Sequence, residues 1–213
     1  MALTHVLVVK QVEGEASDAE LGAIIARWRQ RTAAMLADVH AYRGTRSADV
    51  YVYFELAAAM EWTVDDRHTF EVTLAADAGL RAAAMTVGRL ECMLDVPGAS
   101  SGARRALHYV VETDTVDGWQ DEVRRWYDTE HMPGLANVPG CVRARRFVNH
   151  DRGPRSFACY DLAHAGVTES APWRAVRATE WSGRVRPQFR NAKRTMFSEL
   201  ALPPDARSRI GPG

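Results

Sequence analysis

Two halves of the chain repeat the same order of hydrophobic patterns, and this repeat is the strongest constraint on the fold. Apolar residues at every second position predict two sets of strands, at 5–13, 41–47, 48–56 and 87–95, and then at 106–113, 141–149, 156–162 and 191–199. Helical spacing predicts helices at 18–39 and near 64–84, and then at 117–131 and near 168–180. Each half therefore has the order β-α-β-β-α-β, which indicates the α+β fold class.

Short sequence matches support an internal duplication. His5-Val-Leu-Val-Val opens the first half and His108-Tyr-Val-Val-Glu opens the second, and Tyr53-Phe-Glu-Leu matches Cys159-Tyr-Asp-Leu at nearly the same spacing. The segment Pro97-Gly-Ala-Ser-Ser-Gly has the composition of a linker. We therefore expect an N-terminal repeat at 1–97, a linker at 98–104, a C-terminal repeat at 105–202 and a flexible tail at 203–213.

Composition excludes several classes of partner. The 213 residues carry no formal net charge at pH 7, so the chain lacks the field that attracts nucleic acid or an anionic membrane. No apolar stretch is long enough to span a bilayer, and the first residues do not resemble a signal peptide. The three cysteines are widely spaced, which predicts buried thiols and no zinc or redox site. We expect a cytoplasmic protein whose partner is a small molecule or a second copy of itself.

The first helix of each half provides an internal comparison, because each carries a tryptophan on an apolar stripe. Superposing the two helices pairs Trp28 with Trp126, Thr32 with Glu130 and Ala33 with His131. The tryptophan is present in both copies, so packing is a sufficient explanation for it. The Glu-His pair occurs only in the second copy, where packing does not require it. We also expect the helix of the first copy to continue as far as Val39.

Glu130 and His131 are accordingly the leading candidates for catalysis. Glu130 falls on the helical stripe that faces the sheet, where an unpaired carboxylate is costly. His131 lies toward the edge of that stripe beside Tyr127, and we expect Pro133 and Gly134 to end the helix just beyond it. An imidazole tuned by a neighbouring carboxylate is the usual general acid or base. The alternative is structural, with His131 stabilising a helix C-terminus and Glu130 pairing with an arginine.

Further residues are candidates for substrate binding. Arg143 and Arg145 share one face of a predicted strand, where either could hold a carboxylate or an enolate; a solvated face is the alternative. His108 is a third candidate, although its counterpart in the first copy, His5, favours a structural role. Trp181 begins a segment of basic and aromatic residues that could close over an anionic aromatic ligand or form an exposed helix; the other members are Arg184, Arg186, Pro187, Phe189 and Arg190.

Part of the second half resembles a known superfamily. Trp126-Tyr-Asp-Thr-Glu-His-Met-Pro-Gly-Leu, Val138-Pro-Gly and Arg143-Ala-Arg-Arg-Phe are similar to the helix-ending Tyr…His-x-Pro and the following Pro-Gly strand of EthD-like proteins in the dimeric α+β-barrel superfamily. The first half matches in its pattern of elements only. In that superfamily two ferredoxin-like units pair their antiparallel sheets into a barrel. The resemblance therefore implies two ferredoxin-like repeats that form an intrachain α+β barrel, with one working cleft per chain.

The resemblance also implies a class of activity. Relatives include isomerases, polyketide cyclases, cofactor-free monooxygenases and haem enzymes, whose substrates bind near the positions of Tyr127 and His131. We predict a cofactor-independent isomerase, cyclase or lyase that acts on a small aromatic, lactone or polyketide-like carbonyl compound. In this mechanism His131 transfers the proton, Glu130 orients the imidazole, and an arginine such as Arg145 stabilises the oxyanion.

Two other functions stay open at this point. One is a cofactor-free monooxygenase of a phenolic substrate, and the other is a non-catalytic small-molecule-binding module. We expect no metal and no cofactor, because the sequence lacks nucleotide-binding motifs and the Glu-His pair lacks further metal ligands. We expect either a monomer with an intrachain barrel or a homodimer.

Overall fold

The chain folds into two compact units in the computed structural model, which describes residues 1–11, 16–79 and 85–202. The first unit contains residues 1–89 together with the chain from Glu199 onward, and the second contains Leu90–Ser198. The predicted tail at 203–213 and the end of the helix predicted near 64–84 lie outside the described residues. Across the described part of the chain, every helix is too short or too polar to cross a membrane.

The first unit has the element order β-α-β-β-α-β. Its elements are β1 (Ala2–Gln11), α1 (Asp18–Thr32), β2 (Leu36–Gly44), β3 (Val50–Trp62), α2 (Val64–Ala78) and β4 (Met85–Pro97), and β4 continues into the second unit. The strands lie in the order β4-β1-β3-β2, and β3 is antiparallel to both β1 and β2. Ser17 and Thr63 begin the two helices as the first residues of capping boxes, which satisfy the free backbone donors there.

The second unit repeats this order with shorter helical pieces. After β4 come β5 (Leu107–Thr115), α3 (Gln120–Trp126), a π-helical turn (Tyr127–His131), α4 (Met132–Ala136), β6 (Cys141–Asn149), β7 (Ser156–Leu162), a 3₁₀ turn (Ala165–Glu169), α5 (Ala171–Arg177), α6 (Glu180–Val185), a second 3₁₀ turn (Arg186–Gln188) and β8 (Phe189–Glu199). The strands lie in the order β8-β5-β7-β6, and Leu90–Pro97 of β4 pairs with β6. All of these pairs are antiparallel.

Alternation along β5 separates the two faces of this second sheet. Tyr109 and Val111 pack against the core that the helices cover, which also contains Trp126 and Trp173. His108 points to the opposite face, because successive side chains of a strand alternate. The layer between the sheet and the helices holds the candidate site.

The predicted α+β class is confirmed, and seven of the eight predicted strands are present with shifted ends; the last two residues of the strand predicted at 5–13 lie outside the described residues. The helix predicted at 18–39 is wrong in its second half, since α1 ends at Thr32 and Leu36–Gly44 forms β2 in place of the strand predicted at 41–47. Leu36 and Val39 fit a helical spacing, but pairing with β3 buries Val39 and Ala41 on one face of the sheet. Tertiary pairing therefore overrides the local helical pattern.

The predicted end of the second helix at Pro133 is also wrong. The helical path continues through α4 to Ala136, with Pro133 in the first turn of α4. A proline is tolerated there because its missing N–H falls where the hydrogen-bond register has just changed. Gly134 allows close packing, because a Cβ atom at this position would lie 2.9 Å from Cγ1 of Val176 on α5.

The segment predicted as a linker is held firmly to the second unit. The backbone N–H groups of Gly98 and Ser100 donate to the carbonyls of Val142 and Cys141 at 2.9 and 2.8 Å, and the Ser100 hydroxyl accepts from the backbone of Gly140 at 2.9 Å. The boundary between the compact units falls earlier, between Arg89 and Leu90. The reason is that β4 runs on past the boundary to pair with β6.

Candidate active site

A π-helical turn shapes the centre of the second unit. Tyr127–His131 form this turn, and the backbone N–H of Met132 donates to the carbonyl of Tyr127, five residues earlier. In a regular α-helix the residue four positions after Trp126, which is Glu130, would lie beneath the indole. The wider turn brings His131 there instead. Turns of this kind are frequent at functional sites.

His131 is buried against two aromatic rings. Its ring centroid lies 4.0 Å from that of Trp126 with 22° between the planes, and 5.6 Å from that of Tyr127 in an edge-to-face arrangement. Only 7% of the residue is exposed. Its Nδ1 atom is buried and has no hydrogen-bond partner in the described part of the chain. A buried polar atom without a partner is rare and costly, so it marks a position with a role other than packing.

A chain of hydrogen bonds from α6 fixes the orientation of Trp126. The indole Nε1–H donates to the Ser182 hydroxyl at 3.3 Å, and that hydroxyl donates to the carbonyl of Val176 at 3.1 Å. The backbone N–H of Ser182 donates to the Thr179 hydroxyl at 3.1 Å, and Thr179 donates to the Glu130 carboxylate at 2.6 Å. Hydrogen bonds through Thr179 and Ser182 therefore connect the Glu130 carboxylate to the Trp126 indole.

An ion pair holds the π-helical turn to the sheet. Arg146 on β6 is 4% exposed and donates through Nε and Nη2 to both carboxylate oxygens of Asp128, at 2.9 and 3.3 Å. Such a two-point contact fixes the relative orientation of the two side chains. The turn that carries His131 is thus held to β6 by the pair between Asp128 and Arg146, and to the start of α6 by the bond between Glu130 and Thr179.

A cavity opens beside His131, lined by aromatic, aliphatic and basic side chains and by no carboxylate. Its lining residues are Tyr109, Val111, Trp126, Tyr127, His131, Leu135, Tyr160, Trp173, Arg177, Arg186, Phe189 and Arg194. The space measures about 350 Å³ with its open mouth, but the centre of a water molecule fits in only about 20 Å³ of it. A ligand larger than water therefore requires the flexible side chains at the mouth to move.

Three arginines give the cavity its charge. Arg177 and Arg186 are half-buried and Arg194 is exposed. None of the three forms an ion pair with a carboxylate of the described residues, and the Arg186 guanidinium donates to the carbonyl of Arg177 at 3.3 Å. Partial burial, together with the positive charges of Arg177 and Arg194, lowers the pKa of Arg186. The cavity is therefore a positively charged site without a counter-ion.

These surroundings keep His131 neutral. Burial, reinforced by the positive charges of Arg186 and Arg177, lowers its pKa to about 3. Burial raises the pKa values of Tyr127 and Tyr160 well above that of free tyrosine. At neutral pH the site thus contains a neutral imidazole, protonated phenols and cationic guanidinium groups, which together can accept one proton and stabilise a developing anion.

The structure brings together two of the residues predicted for catalysis. Tyr127 and His131 both line the cavity, and their rings are in contact. Glu130 is half-buried, does not line the cavity and binds Thr179. The sheet-facing position that helical spacing gave to Glu130 belongs to His131, because the π-helical turn shifts the register by one residue.

The four residues predicted for substrate binding lie away from the cavity. Trp181 donates to Glu122 at 2.8 Å, and Arg143 is paired with Asp95. His108 binds Asp161 at 2.7 Å on the opposite face of the sheet, where the positive charge of Arg145 also acts on Asp161. Burial lowers the pKa of His108, and its hydrogen bond with Asp161 only partly opposes this effect.

Sequence reasoning identified Arg186 and Phe189 as members of an aromatic and basic segment, but it missed five other aromatic or basic residues of the cavity, namely Tyr109, Tyr160, Trp173, Arg177 and Arg194. A signal for two of them was present. Trp173 lies in the first turn of a capped helix and Arg177 ends that helix four residues later, and this spacing places both on one face. The sequence contains no comparable signal for the faces of the strands, because both faces are largely buried.

The first helix of the first unit carries no equivalent of His131 among the described residues. The indole of Trp28 donates to the carbonyl of Leu74 at 3.0 Å, and the Thr32 hydroxyl donates to the carbonyl of Trp28 at 2.7 Å. Ala33 follows the last residue of α1. The positions that match Glu130 and His131 in sequence thus carry no titratable group.

The described residues contain no cluster of three or more side chains suited to a metal ion. All three cysteines are thiols outside any disulfide, and Cys141 and Cys159 are buried as predicted. Burial raises the pKa of the Cys141 thiol to about 12, so this thiol is unreactive at neutral pH.

Comparisons with known proteins identify the fold. No protein-family model matches the sequence, and no curated protein matches it. Among solved structures, a candidate monooxygenase from Lactobacillus acidophilus is similar over 93% of this chain and 95% of its own, with a TM-score of 0.60 and 10% identity. An anthrone oxidase-like protein is similar over 93% and 92%, with a TM-score of 0.60 and 13% identity.

A third similar structure is a ferredoxin-fold protein from Listeria monocytogenes that is related to antibiotic biosynthesis monooxygenases. It covers 93% of this chain and 96% of its own, with a TM-score of 0.50 and 10% identity. At such low identities these likenesses show the fold alone. The chain therefore has a ferredoxin-like α+β fold, and its activity must be inferred from its own cavity.

Proposed function

We propose that the cavity beside His131 is the active site of a cofactor-independent isomerase, cyclase or lyase. Its substrate is a small aromatic, lactone or polyketide-like carbonyl compound, and the reaction proceeds by proton transfer. The observation that carries this proposal is the Nδ1 atom of His131, which is buried and has no partner in the described part of the chain. A neutral imidazole with a buried, unbonded ring nitrogen can accept a proton from a substrate.

The chemistry starts with the proton next to the substrate carbonyl. The neutral imidazole of His131 takes this proton, and the electron pair of the broken C–H bond moves onto the carbonyl oxygen to form an enolate. Arg177 and Arg186 lie close enough to the imidazole to lower its pKa, so they are placed to stabilise the negative oxygen. The imidazolium then returns the proton to a different carbon, or to a leaving group, which regenerates neutral His131.

The roles of two predicted residues change accordingly. Arg145 lies away from the cavity, so the oxyanion role passes to Arg177 and Arg186. Glu130 becomes a positioning residue, since its carboxylate binds the Thr179 side chain that begins α6. Tyr127 packs edge-to-face on the imidazole and keeps its phenolic proton, so it can donate a hydrogen bond to the substrate.

A cofactor-free monooxygenase is the second candidate function. Two of the similar structures, a candidate monooxygenase and an anthrone oxidase-like protein, favour it. The same base would deprotonate a phenolic substrate, and the phenolate would add O₂ at a ring carbon to form a hydroperoxide. Loss of water from this hydroperoxide would leave a quinone carbonyl, so that O₂ is the oxidant and water the second product. Oxygen consumption by the purified protein with a candidate phenol distinguishes the two. A non-catalytic binding module predicts neither oxygen consumption nor substrate conversion.

The absence of a cofactor is part of the proposal. The enclosed part of the cavity holds little more than a water molecule, so a haem or a flavin would require movement of the helices, beyond the side-chain movement that admits a small ring. A visible absorption band in protein purified from cells supplied with haem would contradict this part.

The duplication and its consequence for architecture are also proposals. Both units have the element order β-α-β-β-α-β, which supports two repeats at 1–97 and 105–202, joined at 98–104. We propose that their sheets pair into an intrachain α+β barrel, so that the chain is complete as a monomer. A solution mass of about one chain by light scattering is expected.

Solvent isotope exchange tests the catalytic role of His131. The purified protein is incubated in D₂O with a panel of aryl ketones and lactones, and deuterium uptake next to the carbonyl is followed by mass spectrometry. We expect uptake with at least one member of the panel, and a loss of about 10²- to 10⁴-fold in His131→Gln. The matched control is His164→Gln, which replaces an exposed histidine of the same unit and should exchange like the wild type. Equal rates in His131→Gln and wild type would remove His131 as the base.

A further inference from the structure

We propose that the ligand of this cavity is an aromatic carboxylate, whose carboxylate binds Arg177 and Arg186 and whose ring lies among Tyr109, Tyr160 and Trp173. This inference rests on the proposed function, because it concerns the same cavity. It goes further by assigning the charge and the shape of the molecule that enters. Neither the fold nor the similar structures supply that information.

The charge is inferred from how the arginines of this unit are paired. Six arginines of the second unit are buried or half-buried, namely Arg105, Arg143, Arg145, Arg146, Arg177 and Arg186. The first four each interact with an aspartate, at Asp161, Asp95, Asp161 and Asp128 respectively. Arg177 and Arg186 have no such carboxylate among the described residues. A ligand anion would supply these two arginines with the negative partner that the other four obtain from aspartates.

The position of these two arginines favours a carboxylate. Arg177 ends α5 and Arg186 follows α6, and the guanidinium of Arg186 bonds to the carbonyl of Arg177 at 3.3 Å. Both guanidinium groups line the same cavity. A planar guanidinium can donate two parallel hydrogen bonds to a planar carboxylate. Exposed Arg194 on β8 lines the same cavity and adds a third positive charge.

The walls of the cavity favour a flat ring. Trp173 packs edge-to-face on Tyr160 at 5.2 Å and on Tyr109 at 6.4 Å, so three aromatic faces meet on one side of the cavity. Aromatic rings in such clusters attract a further ring beyond the simple burial of area. The enclosed part of the cavity holds little more than a water molecule, so a ligand must be small, and side chains that line the cavity must move to admit it.

Binding of this anion also prepares His131 for chemistry. The charged groups that line its cavity are Arg177, Arg186 and Arg194, from three different elements, and the other titratable side chains there are Tyr109, Tyr127 and Tyr160. A carboxylate between the arginines offsets the positive potential at the imidazole. The ligand therefore strengthens the base that acts on it, and an empty cavity leaves the base weak.

Calorimetric titration with benzoate and with benzamide tests the ligand class. The two molecules have nearly the same shape, and only benzoate carries the charge. We expect benzoate to bind at least tenfold more tightly than benzamide, and Arg177→Gln and Arg186→Gln each to weaken benzoate binding at least tenfold. The matched controls are Arg174→Gln on α5 and Arg184→Gln on α6, which replace exposed arginines that do not line the cavity. These controls should bind benzoate within twofold of the wild type.

Several outcomes would overturn the inference. These are equal affinities for benzoate and benzamide, no binding of benzoate, or equal losses in Arg186→Gln and Arg184→Gln. Inorganic phosphate that displaces benzoate at equal concentration would also overturn it, because an anion without a ring would then be sufficient.

The result separates this inference from the proposed function. Arginine-dependent binding of benzoate without any isotope exchange would contradict the enzyme and leave the ligand class standing. Exchange of neutral ketones that depends on His131, in a protein that does not bind benzoate, would contradict the ligand class and leave the enzyme standing.

Discussion

The imidazole of His131 stacks on the indole of Trp126 with 4.0 Å between the ring centroids, although His131 lies five positions after Trp126 along one helical path. Glu130, four residues after Trp126, would occupy this place in an α-helix. The π-helical turn shifts the register by one residue. His131 therefore lines the cavity, and the Glu130 carboxylate accepts a hydrogen bond from Thr179 instead. One extra residue in a turn thus decides which side chain is available to a substrate.

The low pKa of His131 predicts a specific dependence of stability on pH. In the folded protein the pKa is about 3, whereas an unfolded chain binds this proton at about 6.5. Between these values the unfolded state binds more protons than the folded state, so stability falls as the pH falls. We expect His131 to contribute a loss of about 1.4 kcal/mol per pH unit below about 6.5. Chemical denaturation at a series of pH values measures this slope.

His131→Gln isolates this contribution, because every other titrating group is common to both proteins. The variant should lose stability less steeply than the wild type between pH 6 and pH 4, by about 1.4 kcal/mol per unit. Parallel curves would show that the imidazole is not buried in a neutral form.

The ion pair between Asp128 and Arg146 should contribute strongly to stability. Asp128→Asn leaves the guanidinium of Arg146, which is 4% exposed, without its charged partner. We expect a loss of about 2–3 kcal/mol, below the full penalty of a wholly buried pair because the Asp128 side chain is 30% exposed. The free energy of unfolding in urea measures the loss.

The pair between Asp95 and Arg143 in the same unit provides a matched control. Both side chains are more than one-third exposed, at 40% and 38%. Solvent screens such a pair, so Asp95→Asn should cost less than about 1 kcal/mol. Equal losses in the two variants would mean that burial does not distinguish the pairs.

Two glycines of the segment after β4 should respond differently to substitution. A Cβ atom on Gly98 would lie 2.1 Å from the carbonyl oxygen of Cys141, whereas one on Gly102 meets nothing within 4 Å. We expect Gly98→Ala to lower the free energy of unfolding by about 1–3 kcal/mol, since backbone atoms must shift. Gly102→Ala should change it by less than about 0.5 kcal/mol. A loss below about 0.5 kcal/mol in Gly98→Ala as well would indicate that the segment is a loose linker.

The strands were the part of the fold that the sequence predicted best, because alternation of apolar residues is a direct consequence of a two-faced sheet. The helix predicted to reach Val39 failed, since pairing with β3 stabilises Leu36–Gly44 as a strand and no local pattern records that partner.

Sequence reasoning named two residues of the proposed site, Tyr127 and His131, but not their arrangement. The contrast between the first helices of the two halves pointed to Glu130 and His131, and His131 lines the cavity. Their relative placement depends on a π-helical turn, which helical spacing does not anticipate. Arg177 and Arg194 come from different elements that only tertiary structure brings to one cavity.

The most direct test of the site is the titration of His131 itself, followed by NMR in protein labelled at histidine and assigned with His131→Gln. In the free protein we predict a neutral imidazole throughout the range from pH 7 to pH 5, in keeping with a pKa of about 3. With saturating benzoate we predict that the midpoint rises by about one unit or more, since a nearby anion favours the imidazolium. A midpoint near 6.5 in the free protein, or one that benzoate leaves unchanged, would contradict the assignment of this cavity as an anion-binding active site.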